Sequence, residues 1–133
     1  MVSILCTICA RGGSKGIKNK NLKKINGIPL IIKSIEQANS LKIFDNIVIS
    51  TDSKKIESLA LRNNIFSIGM RKRSLSTDKI PKIDAIRDAV LLSEQLLKKK
   101  FDVVLDLDVS SPLRTNQDIK KAMSQFFKKN ADN

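Results

Sequence analysis

The chain has 133 residues, of which 25 are Lys or Arg and 13 are Asp or Glu, for a formal net charge of +12. That length fits one domain with a real core, and 41% apolar residues is the composition of a folded globular chain rather than a disordered one. With no histidine and only two cysteines there is no material for a Cys/His zinc site or a histidine-based triad.

Val2 to Cys9 is a short apolar, β-branched run and predicts a buried strand. Cys6 and Cys9 fall on opposite faces of it, so they are not expected to bridge. Residues 10–28 read as a long loop rich in Gly, Lys and Asn. Pro29 sits where a first helical residue is favoured, and Leu30, Ile31, Ile35 and Ala38 mark one face of a helix ending near Leu41. Asn46 to Ser50 is the second strand, and Ser53 is placed to cap a helix with Ile56, Leu59 and Ala60 facing inward. Ile65 to Ile68 is the third strand, followed by a basic loop from Gly69 to Pro81. Lys82 to Lys99 reads as the longest helix, with Ile83, Ile86, Val90 and Leu97 on its buried stripe and three lysines at its C-terminal end. Phe101 to Leu107 is the fourth strand. Thr115 and Asp118 then make a capped start for a helix carrying Ile119, Ala122, Met123 and Phe126.

Strand and helix thus alternate four times, which predicts an α/β fold: a doubly wound parallel sheet with helices on both faces. Ligands of such sheets bind at the C-terminal ends of the strands. The loops leaving that edge, 10–28, 69–81 and 108–115, are polar or charged and are where a site is expected. The apolar runs are too short to span a bilayer, and MVSILCTICARGG has no basic leader of the secretory kind, so a cytoplasmic protein without membrane contact is expected. The positive charge invites a nucleic-acid reading. Trp and Tyr are absent, however, and the lysines are spread along the chain, which favours a solvated basic surface. Steep salt dependence of binding to arbitrary DNA or RNA would mark the alternative.

The strongest signal is Ala10-Arg11-Gly12-Gly13-Ser14-Lys15-Gly16 directly after the first strand, with Lys18, Lys20 and Asn21 following. Three glycines within five residues let backbone amides approach an anion, while Arg11 and Lys15 add cationic donors and Ser14 a hydroxyl. The spacing matches neither the dinucleotide fingerprint nor a Walker A loop. Composition alone leaves a phosphate cradle and a plain surface loop both open. At the fourth strand's end, Asp106 and Asp108 share a face, so both carboxylates can reach one Mg²⁺. Equally, Asp106 can be buried with a partner while Asp108 alone faces a substrate. Asp52 is either a loop-organising carboxylate or a ligand contact, and Arg71 and Arg73 lie either in a solvated turn or at a binding site.

The run ARGGSKGIKNKN, with NGIPLI shortly after, resembles the N-terminal signature of the acylneuraminate cytidylyltransferases (CMP-sialic acid synthetases). Ser50-Thr51-Asp52, then Arg71 with Leu75 and Asp78, then Ser111-Pro112-Leu113-Arg114-Thr115 follow in the family's order. The resemblance implies a Rossmann-like nucleotidyltransferase fold, here truncated after about four β-α units. It also implies transfer of CMP from CTP to the anomeric hydroxyl of a nonulosonic acid, with release of pyrophosphate and Mg²⁺ as cofactor. By that resemblance Ala10, Arg11, Gly12, Gly13, Ser14, Lys15 and Asn21 bind the nucleotide, and Arg11, Lys15 and Lys20 serve catalysis. Arg71 and Asp108 face the sugar. Asp108 stands where the family commonly has Gln, and Lys82 where it commonly has Ser. The segments DVSSPLR and PKI look closer to the branch for legionaminic-type, diacylated sugars.

Family members are much longer, so the resemblance casts residues 1–133 as the nucleotide-binding part of a single cytidylyltransferase domain. The dimerisation element and late metal motif would lie beyond it, and the full-length form would be a homodimer. A sheet ending at this point is expected to expose an edge and apolar surface. A catalytically incomplete nucleotide-binding fragment is the alternative expectation.

Overall fold

The computed structural model describes residues 2–11, 22–72, 74, 80–109 and 114–129. Six strands and four helices occur among them: β1 (Ile4–Cys9), β2 (Lys24–Ile25), β3 (Ile28–Pro29), α1 (Leu30–Leu41), β4 (Asn46–Thr51), α2 (Lys54–Arg62), β5 (Phe66–Met70), α3 (Lys82–Leu97), β6 (Val103–Asp106) and α4 (Asn116–Lys129). Four of the strands form one parallel sheet in the order β5-β4-β1-β6. The chain therefore winds outward from β1 through β4 to β5, then returns to the other side of β1 as β6. That reversal makes the crevice between β1 and β6 the topological switch point, the place where ligands of open α/β sheets bind.

The sequence explains the central place of β1. Apart from Thr7 its residues are apolar on both faces, and from Leu5 to Cys9 all are buried, as a strand covered by helices on two sides requires. Alternation sends Cys6, Ile8 and Ala10 to one face, where they pack with Ile31 and Ile35 of α1, Ile56 and Ala60 of α2 and Ile119 of α4. Leu5 and Cys9 go to the other face and pack with Val48, Ile68 and Ala89 of α3. The two cysteines thus lie on opposite sides of the sheet, both as free thiols. Each fully buried Ile or Leu in these layers contributes on the order of 1.5–3 kcal/mol.

Two helix starts follow the capping chemistry of their sequences. The Ile56 amide donates to Ser53 Oγ at 3.3 Å. At α4 the Asp118 amide donates to Thr115 Oγ1 at 3.0 Å while the Thr115 amide donates to Asp118 Oδ2 at 2.9 Å, a reciprocal box. Pro29 is not the first helical residue but the cap before it, in an extended conformation.

Three expectations need correction. The segment 10–28 is not loop throughout: β2 and β3 form a hairpin whose turn, Asn26-Gly27, has positive φ at both residues. Asn-Gly is the favoured pair for such a turn because neither residue resists that conformation strongly. On α3 the buried stripe is Ala85, Ala89 and Ser93, whereas Ile83 is exposed and Ile86 and Val90 are only partly buried. Small side chains let the helix lie close to the sheet, and the larger ones flank that contact line. On α4, likewise, Ile119 and Met123 are buried while Ala122 is exposed. β6 is one of the two outer strands among the described residues, β5 being the other, and a groove of about 720 Å³ runs between β6 and α4, lined by Val103, Leu105, Met123 and Phe126 among others.

Candidate functional site

The C-terminal ends of β1, β4 and β6 meet the start of α3 at one edge. The Ala10 amide donates to the Ser50 carbonyl at 2.9 Å, so β1 stays paired to β4 up to its last residue and delivers Arg11 at the switch point. Gly12, Gly13, Ser14, Lys15, Lys20 and Asn21 lie outside the described residues, as do Arg73, Leu75, Asp78 and Ser111 to Leu113. Of the expected nucleotide-binding set, then, Ala10 and Arg11 are placed, the first buried and the second half-buried.

Arg71 is not in a solvated turn. Its amide donates to the Thr51 carbonyl at 2.7 Å, Nε donates to Ser50 Oγ at 3.1 Å and one terminal nitrogen donates to the Ser50 carbonyl at 2.8 Å. The residue is 9% exposed, its guanidinium braced against the end of β4. Ser50 therefore joins β1, β4 and the segment after β5 through one carbonyl and one hydroxyl. Asp52, two residues on, is exposed at the same edge.

The parallel register places Thr7 opposite Asp106, and Thr7 Oγ1 donates to Asp106 Oδ1 at 2.8 Å. Lys82, first residue of α3, brings its ammonium to 3.0 Å from Asp106 Oδ2 and 3.7 Å from Asp108 Oδ2. The side chains of Asp106, Lys82 and Asp108 are 15%, 43% and 52% exposed, so the three run from the sheet interior outward. Asp106 is thus a partly buried carboxylate with partners, while Asp108 stands at the open edge.

This arrangement does not fit a magnesium ion shared by Asp106 and Asp108. The Lys82 ammonium occupies the place between the two carboxylates that a shared cation would take, and a second cation there would be repelled by it. Among the described residues no group of three or more acidic or thiol side chains is gathered for a metal.

Cys9 lies beside this cluster. Burial pushes its thiol from the ordinary 9.0 up to about 12, with the charge of Asp106 adding to the rise, while Arg71 and Lys82 pull the other way. Cys6 on the opposite face is raised further, again chiefly by burial. Neither is a nucleophile near neutral pH.

Arg114 does work that its place in a motif did not disclose. Nε donates to Gln37 Oε1 at 2.8 Å, one terminal nitrogen donates to the Asp108 carbonyl at 2.7 Å, and Gln37 Nε2 donates to the Arg114 carbonyl at 2.7 Å. It ties the segment after β6 to α1 and so holds the backbone that carries Asp108. The groove between β6 and α4 is lined by residues 102–106 and α4 side chains, and none of Arg11, Arg71, Lys82 and Asp108 is among them.

A model of a family described as cytidylyltransferase matches residues 5–133. A protein of Campylobacter coli named post-translational flagellin modification protein B is 50% identical over 133 residues, covering 100% of this chain and 57% of that protein. A Campylobacter jejuni protein named CMP-N,N'-diacetyllegionaminic acid synthase is 49% identical over 112 residues, covering 84% of this chain and 48% of that protein. A solved CMP:2-keto-3-deoxy-manno-octonic acid synthetase complexed with CTP shares the fold with a TM-score of 0.74 at 20% identity, over 97% of this chain and 49% of its own. The chain spans about half the length of the curated relatives it matches. On the extent of the family match and the identity of these relatives, the chain belongs to the cytidylyltransferase family.

Proposed function

We propose that this chain is the nucleotide-binding part of a CMP-nonulosonate cytidylyltransferase, an enzyme that transfers CMP from CTP to the anomeric hydroxyl of a legionaminic- or sialic-type acid. One observation carries the reading: β1 delivers Arg11 to the crevice beside β6 where the chain order of the sheet reverses, and the Gly-rich basic run follows Arg11 directly in the sequence. Backbone amides and cations at such a place suit a triphosphate.

In this reading Arg11, Lys15 and Lys20 offset the charge that grows on the departing pyrophosphate, the electrostatic term that dominates phosphoryl transfer. Ala10, Gly12, Gly13, Ser14 and Asn21 line the nucleotide. Asp108 faces the acceptor sugar from the end of β6, and Arg71 braces the opposite side of the crevice. Magnesium would enter with the triphosphate and supply charge neutralisation there, with its protein ligands drawn from outside the described residues. The full-length protein is proposed to be a cytoplasmic homodimer, with no part for nucleic acid or membrane; no helix among the described residues is long and apolar enough to cross a bilayer.

The test is release of pyrophosphate from CTP and Mg²⁺ on addition of a diacylated nonulosonic acid, with Lys15→Ala abolishing it. Unchanged turnover in that variant would remove the phosphate role of the glycine-rich run. A second reading, a nucleotide-binding fragment without turnover, is favoured by the share of the relatives that the chain spans. Calorimetric binding of CTP without pyrophosphate release would select it.

A further inference from the structure

Resting on that reading, we propose that Lys82 is a positioning residue that fixes Asp108 as a hydrogen-bond acceptor for the sugar, and so selects acceptors carrying an N–H or O–H donor at that place. Local helix rules do not account for a lysine here. It opens α3, where the helix dipole disfavours a cation, and Pro81 before it makes no side-chain cap. A residue that breaks a local rule is expected where function compensates.

The compensation is the span between two carboxylates. Asp106 is anchored from behind by the fully buried Thr7 hydroxyl at 2.8 Å and holds the ammonium at 3.0 Å. The ammonium in turn meets Asp108 at 3.7 Å from the inner side, while Arg114 holds the Asp108 carbonyl at 2.7 Å. Asp108 is thus braced through its side chain and its backbone, yet remains half exposed at the edge of the crevice. A carboxylate only accepts hydrogen bonds, and an ammonium only donates them. The group presented to the crevice is therefore a fixed acceptor, which suits a donor and disfavours the sugar's own carboxylate. An acylamino N–H or a hydroxyl meets the requirement; a group that only accepts does not.

The experiment is calorimetric titration of the chain, with CTP present, by a diacylated nonulosonic acid and by its analogues lacking one acylamino N–H or one hydroxyl. Lys82→Met should weaken the complete acid about tenfold, in line with loss of one charge-assisted contact. It should leave the affinity for CTP, and for the one analogue missing the contacted donor, within about twofold. Which analogue escapes identifies the donor. Lys82→Arg should restore most of the binding, and Lys82→Met combined with Asp108→Asn should be no weaker than Asp108→Asn alone. Equal losses for the complete acid and every analogue, or no loss at all, would overturn the proposal while leaving the cytidylyltransferase reading standing. A wild-type chain that binds neither CTP nor the acid would overturn both.

Discussion

Replacing Asp106 separates two interactions that meet on one side chain. In Asp106→Ala the Thr7 hydroxyl, 0% exposed, loses its acceptor, which costs about 1–3 kcal/mol for a buried polar group left unpaired. Lys82 loses its nearer partner, but its side chain is 43% exposed, so that pair contributes about 0–1 kcal/mol. The sum is about 1–4 kcal/mol. In Asp106→Asn the amide oxygen still accepts from Thr7, so only the ion-pair share is lost, about 1 kcal/mol or less. With an unfolding entropy of about 2.1 cal/mol/K per residue, the 133-residue chain should melt roughly 4–14 °C lower in the first variant and at most about 4 °C lower in the second. Urea and thermal unfolding of both variants check this. Thr7→Val in the Ala background should recover part of the loss, because no hydroxyl is then stranded. Equal destabilisation by Ala and Asn would refute the reasoning, since it would mean that the ion pair rather than the buried hydroxyl carries the energy.

Three further outcomes follow from the same geometry. Both thiols should resist iodoacetamide in the folded chain at pH 8 and react once urea unfolds it; rapid alkylation of the native chain would contradict their burial. Because both thiols are raised in the folded state, the unfolded chain releases protons that the folded chain keeps as pH climbs from 9.0 toward about 12. Their contribution is therefore intact below about pH 9 and lost above it, and a Cys6→Ala/Cys9→Ala variant should show a shallower alkaline decline in urea melts. At α4 the Thr115 amide and hydroxyl hold the Asp118 carboxyl below its ordinary 3.8, so the cap is present above that pH and lost as pH falls through the lowered value. Thr115→Ala should cost about 1 kcal/mol and speed amide exchange at the start of α4; exchange unchanged from wild type would count against the box.

The layered architecture was legible because alternation of short β-branched runs with amphipathic segments leaves few topologies open. Ser53 and the Thr115–Asp118 pair were readable for a simpler reason: capping is local chemistry between residues three apart. Large apolar residues do not mark the α3 stripe, because packing close against the sheet selects small ones, Ala85, Ala89 and Ser93. The hairpin was missed because Asn26-Gly27 was read as part of a glycine-rich loop rather than as a turn between two short strands. The family, and with it the edge of the sheet that carries the candidate site, was visible in ordered motifs. The coupling inside that edge was not. Thr7 and Asp106 are 99 positions apart and meet only through strand register, and Lys82 meets Asp106 only once α3 packs over the sheet. The one local hint was a lysine at a helix start.

In the proposed function the cytidine nucleotide's phosphates are held at the crevice between β1 and β6 by the run that begins at Ala10. Titrating the ¹⁵N-labelled chain with CTP while following backbone amides tests it most directly. Saturable shifts are expected at Ala10, Arg11 and the amides from Leu107 to Val109, with the α4 face of the β6 groove unmoved. Shifts confined to that groove, or to the lysines after α3, would contradict it.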